Sequence, residues 1–183
     1  MTAEGLRLIE TFNKIEEKLT RLSRQISNVG LEGNEELLLF TFGARISTRN
    51  VFQTVVQKVK RSGVDVELSL CCARGTIIRA VVTNEAAKEL ELEPGKKVLA
   101  LIKAYAITVS TANKANSLCV NNILGIVTRI TRAKDKCEIV LDIGDSRSLT
   151  AIVAREKLNK LTPKTGVKIR AHFNPENVII AAN

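Results

Sequence analysis

The polar side chains that could do chemistry in this 183-residue chain are mainly hydrogen-bond donors. Ser47, Thr48 and Arg49 stand directly before a Val-rich stretch, and Thr83 and Lys103 each follow a run of apolar residues. Hydroxyl, guanidinium and ammonium groups all donate hydrogen bonds, and the last two carry positive charge. The set can therefore bind a small oxyanion, but it contains neither a general base nor a metal ligand.

The residues after Thr83 add a second anion-binding feature. Asn84 begins a short helix predicted at 84–90, and the first amide groups of a helix favour an anion. Each polar group, taken alone, is better explained as an ordinary surface residue beside a strand end. Their occurrence together in one part of the chain favours a binding site.

The composition argues against most enzymes. The chain carries 28 basic and 19 acidic residues, a net charge of +9, and its one histidine, His172, belongs to no Ser-His or Cys-His pattern. The four cysteines lack the paired spacing of a zinc site, so we expect small buried residues or free thiols and no bound metal. No apolar run approaches the roughly 20 residues of a membrane span, and no signal-peptide core is present. We expect a cytoplasmic, non-enzymatic protein without a membrane partner.

A tandem duplication organises the chain after its first forty residues. Sliding the sequence on itself by 71 positions, without a gap, aligns identical residues over about sixty positions. The identical pairs include Asn50 and Asn121, Glu67 and Glu138, and Gly95 and Gly166.

The two copies differ at the candidate site. Where the first copy has Ser47–Arg49, the second has 118–120, which reads Leu-Cys-Val. Ala154 stands opposite Thr83, and Asn174 stands opposite Lys103. The site is therefore predicted in the first copy.

The pattern of each copy predicts a small barrel. In the first copy, strands are predicted near 51–60, 64–72, 76–83, 97–103 and 105–110, with the short helix after the third strand. Five strands and one helix in this order match an OB-like barrel.

The first residues have a different, helical pattern. Residues 3–28 place apolar side chains at spacings of three and four on one face, which favours a helix. This helix either packs on its own domain or forms a dimer seam with a second chain. The predicted fold is mainly β, with an N-terminal amphipathic helix before two tandem OB-like barrels. The predicted domains are 1–37 (helix and loop), 38–111 (first barrel) and 112–183 (second, degenerate barrel).

Three stretches of the first copy resemble the molybdate-binding Mop/TOBE domain. They are Ile46–Asn50 before a Val-rich strand, Ala80–Lys96 and Val98–Ala104. The second copy looks like the degenerate second lobe of a di-Mop unit. Residues 2–12 are similar to the linker that follows the winged-helix domain in ModE-type molybdate-responsive regulators.

The resemblance implies a homodimer that binds molybdate or tungstate at two sites between first-copy domains. The positions that match the family's site are Ser47, Thr48, Arg49, Thr83, Asn84, Ala86, Lys103 and Ala104. By motif position, Thr83 and Lys103 are expected from one chain, and Ser47 and Arg49 from its partner. Ala86 stands where the family often has Ser, which removes one hydroxyl donor.

The winged helix that precedes the linker in this family has no counterpart in the sequence. We expect either an effector-only protein or a fragment that begins at the linker, with DNA as a partner only through an upstream winged helix. The predicted function is sensing of molybdate or tungstate for the regulation of molybdenum uptake and metabolism. The alternatives are a molbindin-like molybdate storage protein, a basic OB-fold nucleic-acid binder, or a barrel that serves a separate transport ATPase.

Overall fold

Ten β-strands make up most of the chain that the computed structural model describes, namely residues 47–73, 75–113 and 120–182. The first copy contains β1 (Asn50–Ser62), β2 (Asp65–Ala73), β3 (Thr76–Thr83), β4 (Lys97–Ile102) and β5 (Thr108–Thr111). The second copy contains β6 (Asn121–Arg132), β7 (Lys136–Gly144), β8 (Arg147–Ala154), β9 (Lys168–Phe173) and β10 (Val178–Ala181). The helices are α1 (Asn84–Glu89), α2 (Arg155–Leu161) and two 3-10 helices, Ala104–Ala106 and Pro175–Asn177.

These elements confirm the mainly β prediction. The first four predicted strands of the first copy end within two residues of those in the structure. The strand predicted at 105–110 begins only at Thr108, because the 3-10 helix Ala104–Ala106 comes first. The helix predicted over 3–28 and the loop to residue 37 lie outside the described residues. Within the described part, no helix combines the length and the apolar character needed to cross a membrane.

Alternating side chains explain why the long first strand forms. Phe52, Thr54 and Val56 are at most 1% exposed, whereas Gln53 and Val55 between them face outward. This period of two is that of a strand with one buried face. The buried faces of both copies contribute to one continuous apolar cluster, which packs the two sheets against each other.

Each sheet contains one strand from the other copy. β10 pairs antiparallel with β4, with Val178 opposite Ile102, so the first sheet has the order β10-β4-β1-β2-β3. β5 pairs in the same way with β9, with Thr108 opposite His172, in the order β5-β9-β6-β7-β8. The structure thus differs from two self-contained barrels, because the copies exchange their fifth strands.

The exchange follows from the duplication. Since β5 and β10 come from equivalent positions, each fits the same place in either sheet, and local sequence does not determine which sheet accepts it. The 3-10 helix after β4 contacts β8 of the second copy, and the 3-10 helix after β9 contacts β3. Contacts also join β10 to β3 and β5 to β8, so the edges of each sheet approach each other and the sheets curl.

Two buried asparagines at equivalent repeat positions fasten the copies together, and we call them the asparagine clamps. Asn50 Nδ2 donates to the carbonyl oxygens of Thr150 at 2.9 Å and Ile102 at 3.0 Å, and the Thr150 amide donates to Asn50 Oδ1 at 2.6 Å. Asn121 Nδ2 donates to the Arg79 carbonyl at 2.8 Å, and the Arg79 amide donates to Asn121 Oδ1 at 2.7 Å. Each clamp therefore joins the start of one copy's first strand to the third strand of the other.

His172 ties the exchanged strand β5 to the sheet that accepts it. The ring is 2% exposed, with Nε2 2.6 Å from Ser110 Oγ on β5 and Nδ1 2.6 Å from Asn122 Oδ1 on β6. Burial lowers the pKa of His172 below its usual 6.5, and the positive charges of Arg170 and Lys157 lower it further. The folded protein therefore favours the neutral ring.

We predict that each asparagine clamp stabilises the fold. Asn50→Ala and Asn121→Ala should each lower the free energy of unfolding by about 2–4 kcal/mol, because each leaves buried backbone groups without partners at about 1–3 kcal/mol per group. Urea denaturation measures the change, with Asn159→Ala on the exposed face of α2 as the matched control. Losses below about 0.5 kcal/mol at both clamps would show that the copies are held by apolar packing alone.

The lowered pKa of His172 predicts acid sensitivity. As the pH falls below 6.5, the unfolded chain binds a proton before the folded chain does, so the free energy of unfolding falls until the pH reaches the folded-state pKa. Urea midpoints between pH 8 and pH 5 should therefore fall more steeply in the natural chain than in His172→Gln. Parallel pH profiles for the two proteins would contradict this role of the ring.

Candidate functional site

The first group of predicted site residues lies at one end of β1 and β4. Asn50 at the start of β1 is paired with Ile102 at the end of β4, and the Thr48 hydroxyl donates to the Ile102 carbonyl at 2.6 Å. Arg49 precedes Asn50 and Lys103 follows Ile102. The register therefore places Arg49 and Lys103 next to each other at the same end of these two neighbouring strands. We call this group the cationic edge (Ser47, Thr48, Arg49, Lys103 and Ala104).

The side chains of the cationic edge divide into anchors and free donors. Ser47, Arg49 and Lys103 are exposed, Thr48 is half-buried and Ala104 is buried. The one hydroxyl hydrogen of Thr48 is committed to the Ile102 carbonyl, so Thr48 positions the segment. No ion pair within residues 47–73, 75–113 and 120–182 engages Arg49 or Lys103, and their charge is available to an anion.

Lys103 owes its exposure to its position before a 3-10 helix. Its carbonyl accepts the Ala106 amide at 2.9 Å, and the next residue, Ala104, packs into the interior. A small side chain at 104 lets the backbone approach the core closely, while the Lys103 side chain extends into solvent. This explains why the Lys-Ala pair is suited to the end of β4.

The second group lies at the start of α1, and we call it the helix-start group (Thr83, Asn84 and Ala86). Thr83 is the N-cap, and its hydroxyl oxygen accepts the Ala86 amide at 3.2 Å. The hydroxyl hydrogen of Thr83 can still be donated to a ligand, since a hydroxyl both donates and accepts. Ala86 contributes this capped amide and a methyl group where a serine would have offered a second hydroxyl.

Asn84 uses one of the two Nδ2 hydrogens of its side chain in a structural contact. Its Nδ2 donates to the Gly63 carbonyl at 2.6 Å and its amide donates to the Val64 carbonyl at 3.1 Å, so it fastens α1 to the turn between β1 and β2. The sequence suggested that the amides of this helix start would bind the anion. The structure shows the amides of Asn84 and Ala86 bonded within the chain, which leaves the Thr83 hydroxyl and one Nδ2 hydrogen of Asn84 as the side-chain donors of the group.

The two groups lie at opposite ends of β1. Thr83 on β3 pairs with Asp65 on β2, and Asp65 pairs with Ser62, the last residue of β1. The cationic edge adjoins Asn50, the first residue of β1. The register thus groups Lys103 with Arg49 and separates it from Thr83. The expected pairing of Thr83 with Lys103 in one half-site, facing Ser47 and Arg49 of a partner, is not the grouping that the sheet produces.

The second copy keeps the backbone framework and lacks the donors. Ala154 is the N-cap of α2 with no side-chain capping bond, and Asn174 is the N-cap of the second 3-10 helix. Val120 is exposed, and residues 118 and 119 lie outside the described residues. The equivalent positions of this copy therefore offer neither a cation nor a capping hydroxyl.

The role of Asn50 was not predicted from the sequence. A polar residue identical in both repeats and set in an apolar strand is a signal for a buried hydrogen-bonding role, and Asn50 and Asn121 carry that signal. Elsewhere, an open cleft of about 450 Å³ between the sheets is lined by Arg79 and Arg170, and it includes none of the predicted site residues. Among the described residues, no three His, Cys, Asp or Glu side chains are grouped so that they could hold a metal ion.

Comparison with known proteins matches this architecture to one family. The model of the TOBE domain matches residues 46–109 and 120–180, which are the two copies of the duplication.

Similar proteins extend the match to nearly the whole chain. The molybdenum-pterin-binding protein MopA of Rhodobacter capsulatus is 32% identical over 99% of this chain and 69% of its own. The DNA-binding transcriptional dual regulator ModE of Escherichia coli K12 is 25% identical over 99% of this chain and 70% of its own. A crystal structure of the cytoplasmic molybdate-binding protein ModG with molybdate bound has a TM-score of 0.72 and 30% identity, and covers 76% of this chain and 100% of ModG.

Proposed function

This chain belongs to the TOBE domain family, and we propose that it is a molybdate-binding effector module that senses the oxyanion for the control of molybdenum uptake and metabolism. The observation that carries the proposal is the pairing of Asn50 with Ile102, which sets Arg49 and Lys103 at the same end of β1 and β4 without a described counter-ion. The similarity to MopA, ModE and ModG, each named for molybdenum or molybdate or for regulation, supports the choice of ligand.

The proposed mechanism is binding without chemistry. Molybdate is a tetrahedral dianion that carries no proton at neutral pH, so its site requires donors and positive charge only. Arg49 presents a planar fork that can donate to two oxygens, and Lys103 adds a second charge. Ser47 contributes a hydroxyl donor, while Thr48 holds the segment in place through Ile102.

The remaining donors come, in our proposal, from a second chain. A homodimer in which the cationic edge of one chain faces the helix-start group of the other would surround the anion on both sides. The Thr83 hydroxyl would then complete the donors of Arg49 and Lys103. Two such sites form in a two-fold dimer, and the second copies, which lack the donors, form none.

The size of the cavity would determine selectivity. Tungstate has the same charge and nearly the same size as molybdate, and we extend the proposal to it. Sulfate is smaller, so a site fitted to molybdate leaves one or more donors unpaired, at a cost of about 1–3 kcal/mol for each.

A shared site couples binding to dimer geometry. A ligand shifts a conformational equilibrium only by its difference in affinity for the two states, and an anion held by both chains binds only the closed arrangement. A regulatory domain attached to, or contacting, the dimer would respond to that closure. We also propose a cytoplasmic location, because the similar protein ModG is a cytoplasmic molybdate-binding protein.

A second candidate function is molybdate binding without regulation. It is favoured by the match of the whole ModG chain, described as a molybdate-binding protein, to 76% of this chain. In that case the same site would hold the anion as a store, and closure would have no regulatory target.

We predict that oxyanion binding depends on the first copy only. Lys103→Ala should weaken molybdate binding about 10- to 100-fold, because it removes a charge-assisted hydrogen bond worth about 1.5–3 kcal/mol. Asn174→Ala, at the equivalent place in the second copy, is the matched control and should leave the affinity unchanged. Isothermal titration calorimetry with molybdate, tungstate and sulfate measures both effects. Equal losses in the two variants, or equal affinity for sulfate, would contradict the proposed site.

Mixed dimers test which residues share a chain. Arg49→Ala chains mixed with Thr83→Ala chains should recover one normal site per heterodimer, because both defects fall in the same site and leave the other intact. Arg49→Ala mixed with Lys103→Ala should recover none, because each defect breaks the cationic edge of a different site.

The stoichiometry of molybdate in purified heterodimers is the measurement. If the mixture of Arg49→Ala and Lys103→Ala chains recovers a molybdate site, these two residues serve that site from different chains. That result would contradict the grouping inferred from the strand register. Absence of recovery in both mixtures would show that each site is built by one chain.

A further inference from the structure

The equivalent ends of the two copies differ strongly in charge. In the first copy, the β1–β2 turn (61–65) and the α1 region (83–97) contain four basic and five acidic residues, a net charge of −1. In the second copy, the β6–β7 turn (132–136) and the α2 region (154–168) contain eight basic and two acidic residues, a net charge of +6. Because the duplication makes these regions equivalent in fold, the difference reflects substitution of side chains on a common framework.

Basic residues of the β6–β7 turn and of the start of α2 lie next to each other. The Arg155 amide donates to the Asp135 carbonyl at 3.0 Å, and Arg155 Nη1 lies 3.4 Å from the Lys134 carbonyl, so the start of α2 is fastened to the turn. Lys136 is paired with Ala154, directly before α2. We call this surface the basic patch, and its members, all exposed, are Arg132, Lys134, Lys136, Arg155 and Lys157.

An aromatic side chain from the first copy borders the basic patch. Lys136 Nζ lies 4.8 Å from the centre of the Tyr105 ring, and Tyr105 is 65% exposed. The contact orients Lys136 by a cation–π interaction while its charge stays at the surface. Tyr105 lies two residues after Lys103. Its contact with Lys136 therefore brings the basic patch close to the cationic edge.

The chemistry of the patch differs from that of the oxyanion site. Ala154 replaces the capping Thr83, so the helix start of this copy lacks the directed hydroxyl donor that a small anion requires. Asp135 and Glu156 are the only acidic residues in 132–136 and 154–168, and the large exposed apolar side chains within or bordering these segments are Val167 and Tyr105. Dispersed positive charge with so few apolar side chains suits a polyanion with repeated charges better than membrane insertion or an apolar peptide anchor.

We propose that the basic patch binds the phosphate backbone of duplex DNA without reading its sequence. Arg and Lys contacts to phosphates supply affinity and fix position, whereas base edges specify sequence. The patch would hold the second copy against DNA while the first copy of the same chain holds the oxyanion. This role is independent of the molybdate proposal, since no residue of the basic patch belongs to the cationic edge or the helix-start group.

The test is the salt dependence of binding to a fluorescent 20-base-pair duplex of arbitrary sequence, measured by anisotropy with the full chain. A triple variant, Lys134→Gln, Lys136→Gln and Arg155→Gln, should reduce the slope of log K against log salt by about 3. The matched control, Lys58→Gln, Lys88→Gln and Lys97→Gln, removes the same charge from exposed positions of the first copy and should leave the slope nearly unchanged. If the triple variant fails to fold, Lys136→Gln with Lys157→Gln should reduce the slope by about 2.

Three results would overturn the proposal. One is the absence of duplex binding by the natural chain at 50 mM salt. Another is an equal decrease of the salt slope in the patch and control variants, which would show that DNA binding depends on net charge and not on the patch. The third is tighter binding to phosphatidylglycerol vesicles or to polyglutamate than to the duplex at equal anion concentration, which would assign the patch to a membrane or an acidic protein. Molybdate affinity is measured on the same patch variant. If that affinity is retained, a failure of the DNA proposal leaves the oxyanion site unaffected.

Discussion

A buried side-chain amide must find its hydrogen bonds inside the protein, and the amide of Asn50 is the constraint on which the rest of this structure depends. Its three bonds hold the start of β1 against the end of β4 and against β8 of the other copy. The cost of leaving such groups unpaired away from water makes this arrangement specific as well as stable. Through the same register, Arg49 and Lys103 lie next to each other at the same end of β1 and β4. The repeat-related Asn121 fastens Arg79 in the same way, so the clamp is common to both copies. Arg49 and Lys103 occur beside the clamp in the first copy only.

The duplication allows one framework to serve two purposes. Both copies retain the clamp, the curled sheet and the exchanged fifth strand, which together provide one core larger than either copy could form alone. With stability shared, each copy is free to vary at its exposed ends. The first has cations and a capping hydroxyl at separate ends of its long strand, and the second has a dense set of basic side chains around α2. The donors of the first copy lie apart in one chain, and in our proposal a second chain brings them together.

Local patterns predicted much of the fold. The period of two located the strands, and the comparison of repeats directed attention to Ser47, Arg49, Thr83 and Lys103, all of which are exposed. The strand exchange was not predictable in this way, since a duplicated sequence makes β5 and β10 equivalent choices for either sheet. The sequence likewise shows which site residues carry hydrogen-bond donors. It does not show which of these donors are already bonded within the fold. Thr48 and Asn84 have the right groups for an oxyanion, but the hydroxyl hydrogen of Thr48 is donated to Ile102 and one Nδ2 hydrogen of Asn84 to Gly63, and only the folded chain shows this.

The central claim is that the oxyanion site is completed by two chains, and the exchange of subunits between dimers tests it most directly. Isotope-labelled and unlabelled chains are mixed, and native mass spectrometry follows the appearance of mixed dimers with and without ligand. A ligand held by both chains must be released before they separate, so saturating molybdate should slow exchange by about 5- to 150-fold, the usual range of such coupling, and sulfate should not. An exchange rate that molybdate leaves unchanged, at concentrations where calorimetry shows the site to be full, would contradict the claim.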